Sequence, residues 1–248
     1  MNSGAISPDH HAAGFLKAAP DPLRYDGHTG DPLEVAGVLA ALVPANSKVL
    51  DVGCGTGSVT QIIAALSGAR IIGLEPDPDR AALAQSRGVE VINGYLTAEL
   101  IGKLGLFDAI VFADVLEHLP DPASVLQLAT SFLKPGGCVV LSVPNVAHWS
   151  VRINLIKGRF DPAPYGIMDG THLHWFTRAS LLRWLKTMEM VVEEIRPTAG
   201  KTLPDYSNRR PWRYLRPGMR TRLIHGCLRL WPDLFACQWV VRAHASPS

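Results

Sequence analysis

The segment Val49-Leu50-Asp51-Val52-Gly53-Cys54-Gly55-Thr56-Gly57 constrains the fold more than any other stretch of this chain. A short apolar run ends in three glycines at alternate positions, and Val59 to Ser67 then reads as a helix. Glycine enters positive-φ backbone at little cost and carries no Cβ, so a ligand can lie against such a turn. The helix that follows points its free amide N–H groups at the same place.

The spacing excludes one common reading. Dinucleotide-dependent oxidoreductases usually carry G-x-G-x-x-G, whereas this loop is D-x-G-x-G-x-G. Glu75 closes the next apolar run, Arg70 to Glu75, where a carboxylate can accept both hydroxyls of a ribose. A plain strand–helix turn would need neither Asp51 nor Glu75.

The alternation continues. Val89–Asn93, Phe107–Asp114 and Cys138–Val143 read as further strands, and Pro78–Arg87, Ala123–Leu133 and Ser180–Met190 as helices. The fourth strand is almost wholly apolar, as strands covered on both faces are. This order predicts a mostly parallel α/β sheet with right-handed crossovers. Met190–Ile195 and Ala236–Ala243 are candidate closing strands. Three segments fall outside the pattern: an N-terminal arm over 1–32, an insert over 145–176 and a second insert over 198–232. With 248 residues, 47% hydrophobic and 19% charged, one large domain carrying these additions is expected, and disorder along the whole chain is excluded.

The four cysteines include no C-x-x-C pair, so neither a zinc ribbon nor a thioredoxin motif is available. Met1–Pro20 lacks a basic stretch followed by an apolar run, and no segment reaches the roughly 18 apolar residues of a spanning helix. A reduced, cytoplasmic protein is the expectation.

Four motifs, taken together over about Ser47 to Asn145, resemble those of class I S-adenosylmethionine-dependent methyltransferases. They are the loop Asp51–Gly57, Glu75 in Gly73-Leu74-Glu75-Pro76-Asp77, the run Phe107–Leu119, and Leu133-Lys134-Pro135-Gly136-Gly137 before Cys138–Val143. The resemblance implies a Rossmann-like, doubly wound seven-stranded sheet, mostly parallel with one antiparallel strand, and helices on both faces. It implies S-adenosyl-L-methionine as cofactor and S-adenosyl-L-homocysteine as product. The matching cofactor-binding positions are Asp51, Gly53, Cys54, Gly55, Gly57, Glu75, Pro76, Ala113 and Asp114, with Tyr25 of the arm closing over them. The chain departs from the family after the third strand. Asn93-Gly94-Tyr95 stands where Gly-Asp is common, so Tyr95 takes the adenine-side position. Val143–Trp149, Gly158–Phe160, Gly166–Asp169 and Thr171–Thr177 look like a bacterial subgroup associated with cell-surface polysaccharide or other small-molecule pathways.

The reaction so implied is methyl transfer to a hydroxyl of a small-molecule, sugar or lipid-linked acceptor. Residues after the fourth and fifth strands should face the methyl group, because ligands of such sheets bind at the carboxyl ends of the strands. His118 is there, and a neutral imidazole can take a proton near pH 7. His172 and His174 share one side of an extended segment and could join Asp169 as a base cluster. The alternatives remain open: His118 as a cap of the next helix, His172 and His174 as hydrogen-bonded lid residues, or His172, His174 and Asp169 as a metal set. Methyl displacement needs no metal, so none is expected. Trp149, Arg152, Arg159 and Tyr165 are candidates for the acceptor pocket.

Charge is split along the chain. Arg196 to Ser248 holds 10 Lys/Arg against 2 Asp/Glu, within a total of 24 basic and 22 acidic residues. Arg209-Arg210-Pro211-Trp212-Arg213-Tyr214-Leu215-Arg216 interleaves arginine with aromatics, and Met219–Trp231 could form an amphipathic helix. Such a surface suits a phosphate-bearing or otherwise anionic acceptor, or peripheral contact with an anionic membrane. Ala113-Asp114-Val115-Leu116 is not the Asn/Asp-Pro-Pro-aromatic motif of DNA amino-methyltransferases, so DNA is not an expected partner. A homodimer is compatible with the sequence. The competing functions are N-methylation of a small-molecule or sugar amine, and a methyltransferase-like module that binds RNA or membrane.

Overall fold

The computed structural model describes residues 26–246. Seven strands form one sheet: β1 (Lys48–Val52), β2 (Arg70–Glu75), β3 (Glu90–Asn93), β4 (Phe107–Ala113), β5 (Leu133–Pro144), β6 (Met190–Pro197) and β7 (Gln238–Ala245). Their order is β3-β2-β1-β4-β5-β7-β6, and β7 runs antiparallel to both neighbours while the remaining pairs are parallel. The expected doubly wound sheet with one reversed strand is therefore present.

Side chains alternate across a strand, so consecutive residues serve opposite faces. Leu50, Ile72, Ile110 and Leu141 pack into one buried cluster, while Val49, Ile71, Val111 and Val140 pack into the other. Helices α1 (Val35–Leu42), α2 (Ser58–Ser67), α3 (Pro78–Ser86), α4 (Leu100–Leu104), α5 (Pro122–Thr130), α6 (Trp149–Ile156) and α7 (Arg178–Thr187) connect the strands. Asp77 caps α3 by accepting from the Asp79 and Arg80 amides, and Asp121 caps α5 by accepting from Ser124. Proline at the first helical position follows each cap, where its missing N–H costs nothing.

Strand order reverses between β1 and β4, which opens a crevice at the carboxyl ends of these strands. The segments 145–176 and 198–232 both contain helices, and the amphipathic helix expected over Met219–Trp231 is present over Pro217–Leu230. The first contains α6. The second folds into α8 (Pro204–Asn208), α9 (Pro217–Leu230) and α10 (Pro232–Phe235). Among the described residues, no helix is long and apolar enough to cross a membrane.

Candidate functional site

A cavity of about 530 Å³ occupies the crevice, with walls from the glycine loop, the ends of β2 and β4, the residues after β4, and Gly166–His172. The loop itself forms the floor. Gly53, Gly55 and Gly57 have φ of 76°, 56° and 77°, so the alternating glycines each occupy the left-handed region. A Cβ on Gly55 would meet nothing within 4 Å, leaving the backbone open to the cavity. Gly57 differs. It is not among the lining residues, and a Cβ there would lie 2.9 Å from Val89 Cγ2 and 3.1 Å from Ala84 Cβ. Where a cofactor contact was expected, Gly57 instead packs closely against α3 and against Val89 just ahead of β3.

Two carboxylates sit beneath the loop. Asp51 is fully buried; its Oδ2 accepts from Thr60 Oγ1 at 2.6 Å, and its Oδ1 has no partner. Burial pushes its carboxyl up to about 6. Glu75 Oε2 accepts from the Gly55 amide at 2.8 Å and Oε1 from the Asp77 amide at 3.0 Å. An unpaired buried carboxylate, an open glycine backbone and a second acid held by amides fit a nucleoside that carries positive charge. S-adenosylmethionine has that chemistry. Cys54, Pro76, Tyr95 and Ala113 also line the cavity, Tyr95 as a rim residue 76% exposed. Tyr25 lies outside the described residues. Its neighbour Asp26 accepts from Thr56 Oγ1 at 2.5 Å and pairs with Arg87 at 2.6 Å, which ties the arm to the glycine loop and holds the Asp26 carboxyl down at about 2.

Beyond β4 the wall turns polar. Asp114 adopts φ of 54°; its Oδ1 accepts from Ser142 Oγ at 2.8 Å and its Oδ2 from Gln238. Burial raises this carboxyl to about 6. Glu117 is 0% exposed, and neither carboxylate oxygen has a hydrogen-bond partner among the described residues. Burial, together with the charge of Asp114, pushes it well above the usual carboxylate range. His118 and His172 both line the cavity, with ring centroids 4.7 Å apart, edge to face. Sequence reasoning placed Glu117 and Thr171 within segments facing the methyl group but gave them no role, and it missed Gln238. An acid between Leu116 and His118, three residues after Asp114, was the available signal for the first.

The remaining expected site residues are placed elsewhere. His174 is not a lining residue; its Nε2 lies 2.9 Å from the Leu119 carbonyl. Asp169 is buried behind the wall, accepting from Thr171 N and Oγ1 at 2.8 and 2.6 Å. Thr171 Oγ1 in turn stands 3.1 Å from His118 Nδ1, so Asp169 acts on the cavity through Thr171. Trp149 packs away from the cavity and donates from Nε1 to Tyr206 Oη at 3.2 Å. Arg152 turns back to donate to the Ala147 carbonyl, and Tyr165 is half exposed beside the lining residue Gly166. Trp149, Arg152 and Tyr165 therefore do not wall the cavity as expected. A burial-seeking indole and a backbone-bonded guanidinium satisfy local packing instead.

The profile of a family described as "Methyltransferase domain" matches residues 30–194. A ubiquinone biosynthesis O-methyltransferase from Xanthomonas axonopodis pv. citri (strain 306) is 30% identical over 176 residues, covering 68% of this chain and 72% of the relative. Among solved structures, a SAM-dependent methyltransferase from Archaeoglobus fulgidus aligns with a TM-score of 0.53 at 18% identity, over 84% of this chain and 93% of its own. The plantazolicin methyltransferase BamL, crystallised with a triazolic desmethylPZN analog and SAH, aligns with a TM-score of 0.57 at 14% identity, over 91% and 89%. The chain belongs to the methyltransferase domain family and is a class I S-adenosylmethionine-dependent methyltransferase.

Proposed function

We propose that this enzyme methylates a hydroxyl on a small acceptor whose body is apolar. The carrying observation is a polar corner built by Glu117, His118 and His172 in a cavity whose lining also includes the apolar Leu96, Val115, Leu119, Val125 and Ile167. An acceptor with a ring or a hydrocarbon tail would lie against that wall and turn its hydroxyl to the corner. The curated relatives named as ubiquinone biosynthesis O-methyltransferases support oxygen as the methylated atom.

S-adenosylmethionine supplies an activated methyl group on a sulfonium centre, so the chain need not activate the donor. What remains is to hold the acceptor oxygen in line and keep water out. Such positioning contributes about 7–11 kcal/mol in favourable cases. Easing loss of the hydroxyl proton adds a further factor of about 10²–10⁴. In this reading the proton leaves on the side of the cavity that His118 and His172 line. Purified enzyme with labelled S-adenosylmethionine should methylate phenolic or catecholic acceptors and spare the matching amines. Transfer to amines alone would favour the N-methylation reading.

A second reading concerns where the acceptor is met. Met219, Leu223 and Leu230 form one exposed stripe on α9, opposite buried Ile224 and Leu228, with Arg220 on one flank and Arg222 and Arg229 on the other. An amphipathic face rimmed by arginine suits an anionic membrane surface, where a lipid-linked acceptor would be found. Co-sedimentation with phosphatidylglycerol vesicles, weakened by salt and lost in Leu223→Glu, is the expected result. Equal retention by purely phosphatidylcholine vesicles would remove the electrostatic part of this reading.

A further inference from the structure

We propose that Glu117, His118 and His172 form a binding site for a divalent transition-metal ion at the acceptor end of the cavity. One donor atom from each of the three lies within 4.8 Å of the others. In the tetrahedral geometry that zinc favours, two donors on one ion stand roughly 3.4 Å apart, so binding draws the most distant pair together by up to about 1.4 Å. Two imidazoles and one carboxylate are a common set for zinc and for other first-row divalent ions.

Independent observations point the same way. Glu117 is completely buried, lines the cavity, and leaves both oxygens without a hydrogen-bond partner among the described residues. A buried carboxylate is costly unless paired or bound to a metal. The histidines are also held as metal ligands usually are. His172 Nδ1 is 3.2 Å from the Ile167 carbonyl, and a carbonyl can only accept, so Nδ1 carries a proton and Nε2 is the ring atom that would ligate an ion. His118 Nδ1 faces the Thr171 carbonyl at 3.3 Å and Thr171 Oγ1 at 3.1 Å. That hydroxyl donates to Asp169 Oδ1, so it too accepts from His118. Carbonyl and carboxylate-backed partners on the far nitrogen are what fix a ligating imidazole.

This differs from the metal set considered from sequence. His174 is engaged with the Leu119 carbonyl, and Asp169 supports Thr171 rather than facing the cavity. Glu117 takes the carboxylate place.

The chemistry rests on the hydroxyl-methylation reading, whereas the binding itself does not. An ion at this corner lowers the pKa of a hydroxyl that binds it, as it does for water. The O–H bond breaks and the proton passes to solvent water. The new O–C bond then forms as the S–C bond breaks, leaving a methyl ether and a neutral thioether. His118 and His172 serve here as ligands rather than as bases.

The test titrates the full, metal-stripped chain with Zn²⁺ by calorimetry and with Co²⁺ by visible absorption. Wild type is compared with Glu117→Gln, His172→Ala and, as a control near the C-terminal end of β7, His244→Ala. S-adenosylhomocysteine binding serves as the check on folding. Binding of one ion per chain, weakened about tenfold or more in Glu117→Gln and His172→Ala and unchanged in His244→Ala, is expected. Affinity equal to wild type in both site variants would overturn the proposal. So would the lack of saturable binding in wild type that still takes S-adenosylhomocysteine. Neither readout needs an acceptor, so a wrong acceptor class would leave them unaffected. That error would appear only as metal-loaded enzyme inert toward hydroxyls.

Discussion

The Gly55 amide donates to Glu75 Oε2 at 2.8 Å, so the acid that ends β2 closes directly on the glycine loop that follows β1. The same carboxylate accepts from the Asp77 amide through its other oxygen. Glu75 therefore shapes the loop as well as offering lone pairs to a ribose. Glu75→Ala removes both roles. Hydrogen bonds to a charged group contribute about 1.5–3 kcal/mol each. Loss of one is expected to weaken S-adenosylhomocysteine binding by about 10- to 150-fold, measured by calorimetry. Glu75→Gln can accept through only one oxygen and should fall between the two.

Asp51 makes the opposite trade. Its carboxyl is buried, raised to about 6, and left with one unpaired oxygen. A carboxyl whose folded pKa exceeds its unfolded value binds more protons in the fold, so stability falls as pH rises between the two. From an ordinary value of 3.8 to about 6, the loss is on the order of 3 kcal/mol and is complete above the upper value. Asp51→Asn keeps an acceptor for Thr60 and removes the charge. The ligand-free variant should be more stable than wild type at pH 7 and nearly equal at pH 4. It should also bind S-adenosylmethionine less tightly. A thermal-melt series across that range, with and without cofactor, measures both. Equal melting at pH 7 would refute the assignment.

Asp169 and Thr171 should govern turnover without touching the cofactor. Thr171→Val preserves shape but breaks the chain from Asp169 Oδ1 to His118 Nδ1. Expected is a fall in kcat of about tenfold or more, with cofactor affinity unchanged and a displaced pH–rate profile. Thr171→Ser, which keeps the hydroxyl, should recover most of the rate. A purely structural role would instead lower stability and leave the pH profile in place.

The glycine loop, the β2 acid and the strand order were legible because each depends on local rules: period-2 burial, positive φ and helix capping. Of segments 145–176 and 198–232, the amphipathic helix over Met219–Trp231 was legible and the rest was not. Their helices carry interior-facing aromatics whose partners are distant in sequence, such as Trp149 with Tyr206 and His148 with Tyr206. No periodicity within either segment reveals that pairing. The same applies to Glu117. Its position after β4 was visible, but its full burial depends on Leu173 and His174, whose amides both donate to the Glu117 carbonyl and draw the 145–176 segment over it. Trp149 therefore read as a pocket residue when it is a joint between the two inserts.

That joint can be tested through Tyr206. Its hydroxyl is buried and meets Trp149 Nε1 at 3.2 Å and His148 Nε2 at 3.3 Å. The Tyr206 ring also stacks edge-on against Trp212 at 5.1 Å, which carries the contact into the arginine-rich segment. Burial, with Arg209 nearby, pushes His148 down to about 3, so it stays neutral through the physiological range. Tyr206→Phe keeps the ring packing and strands the two nitrogens. Leaving buried donors unsatisfied costs about 1–3 kcal/mol each. In a chain of this size each kcal/mol lowers Tm by about 2–4 °C. The variant should therefore melt several degrees lower while its kcat and cofactor affinity, measured well below Tm, match wild type. A selective rise in acceptor KM with unchanged Tm would instead return Trp149 and its neighbours to the acceptor pocket.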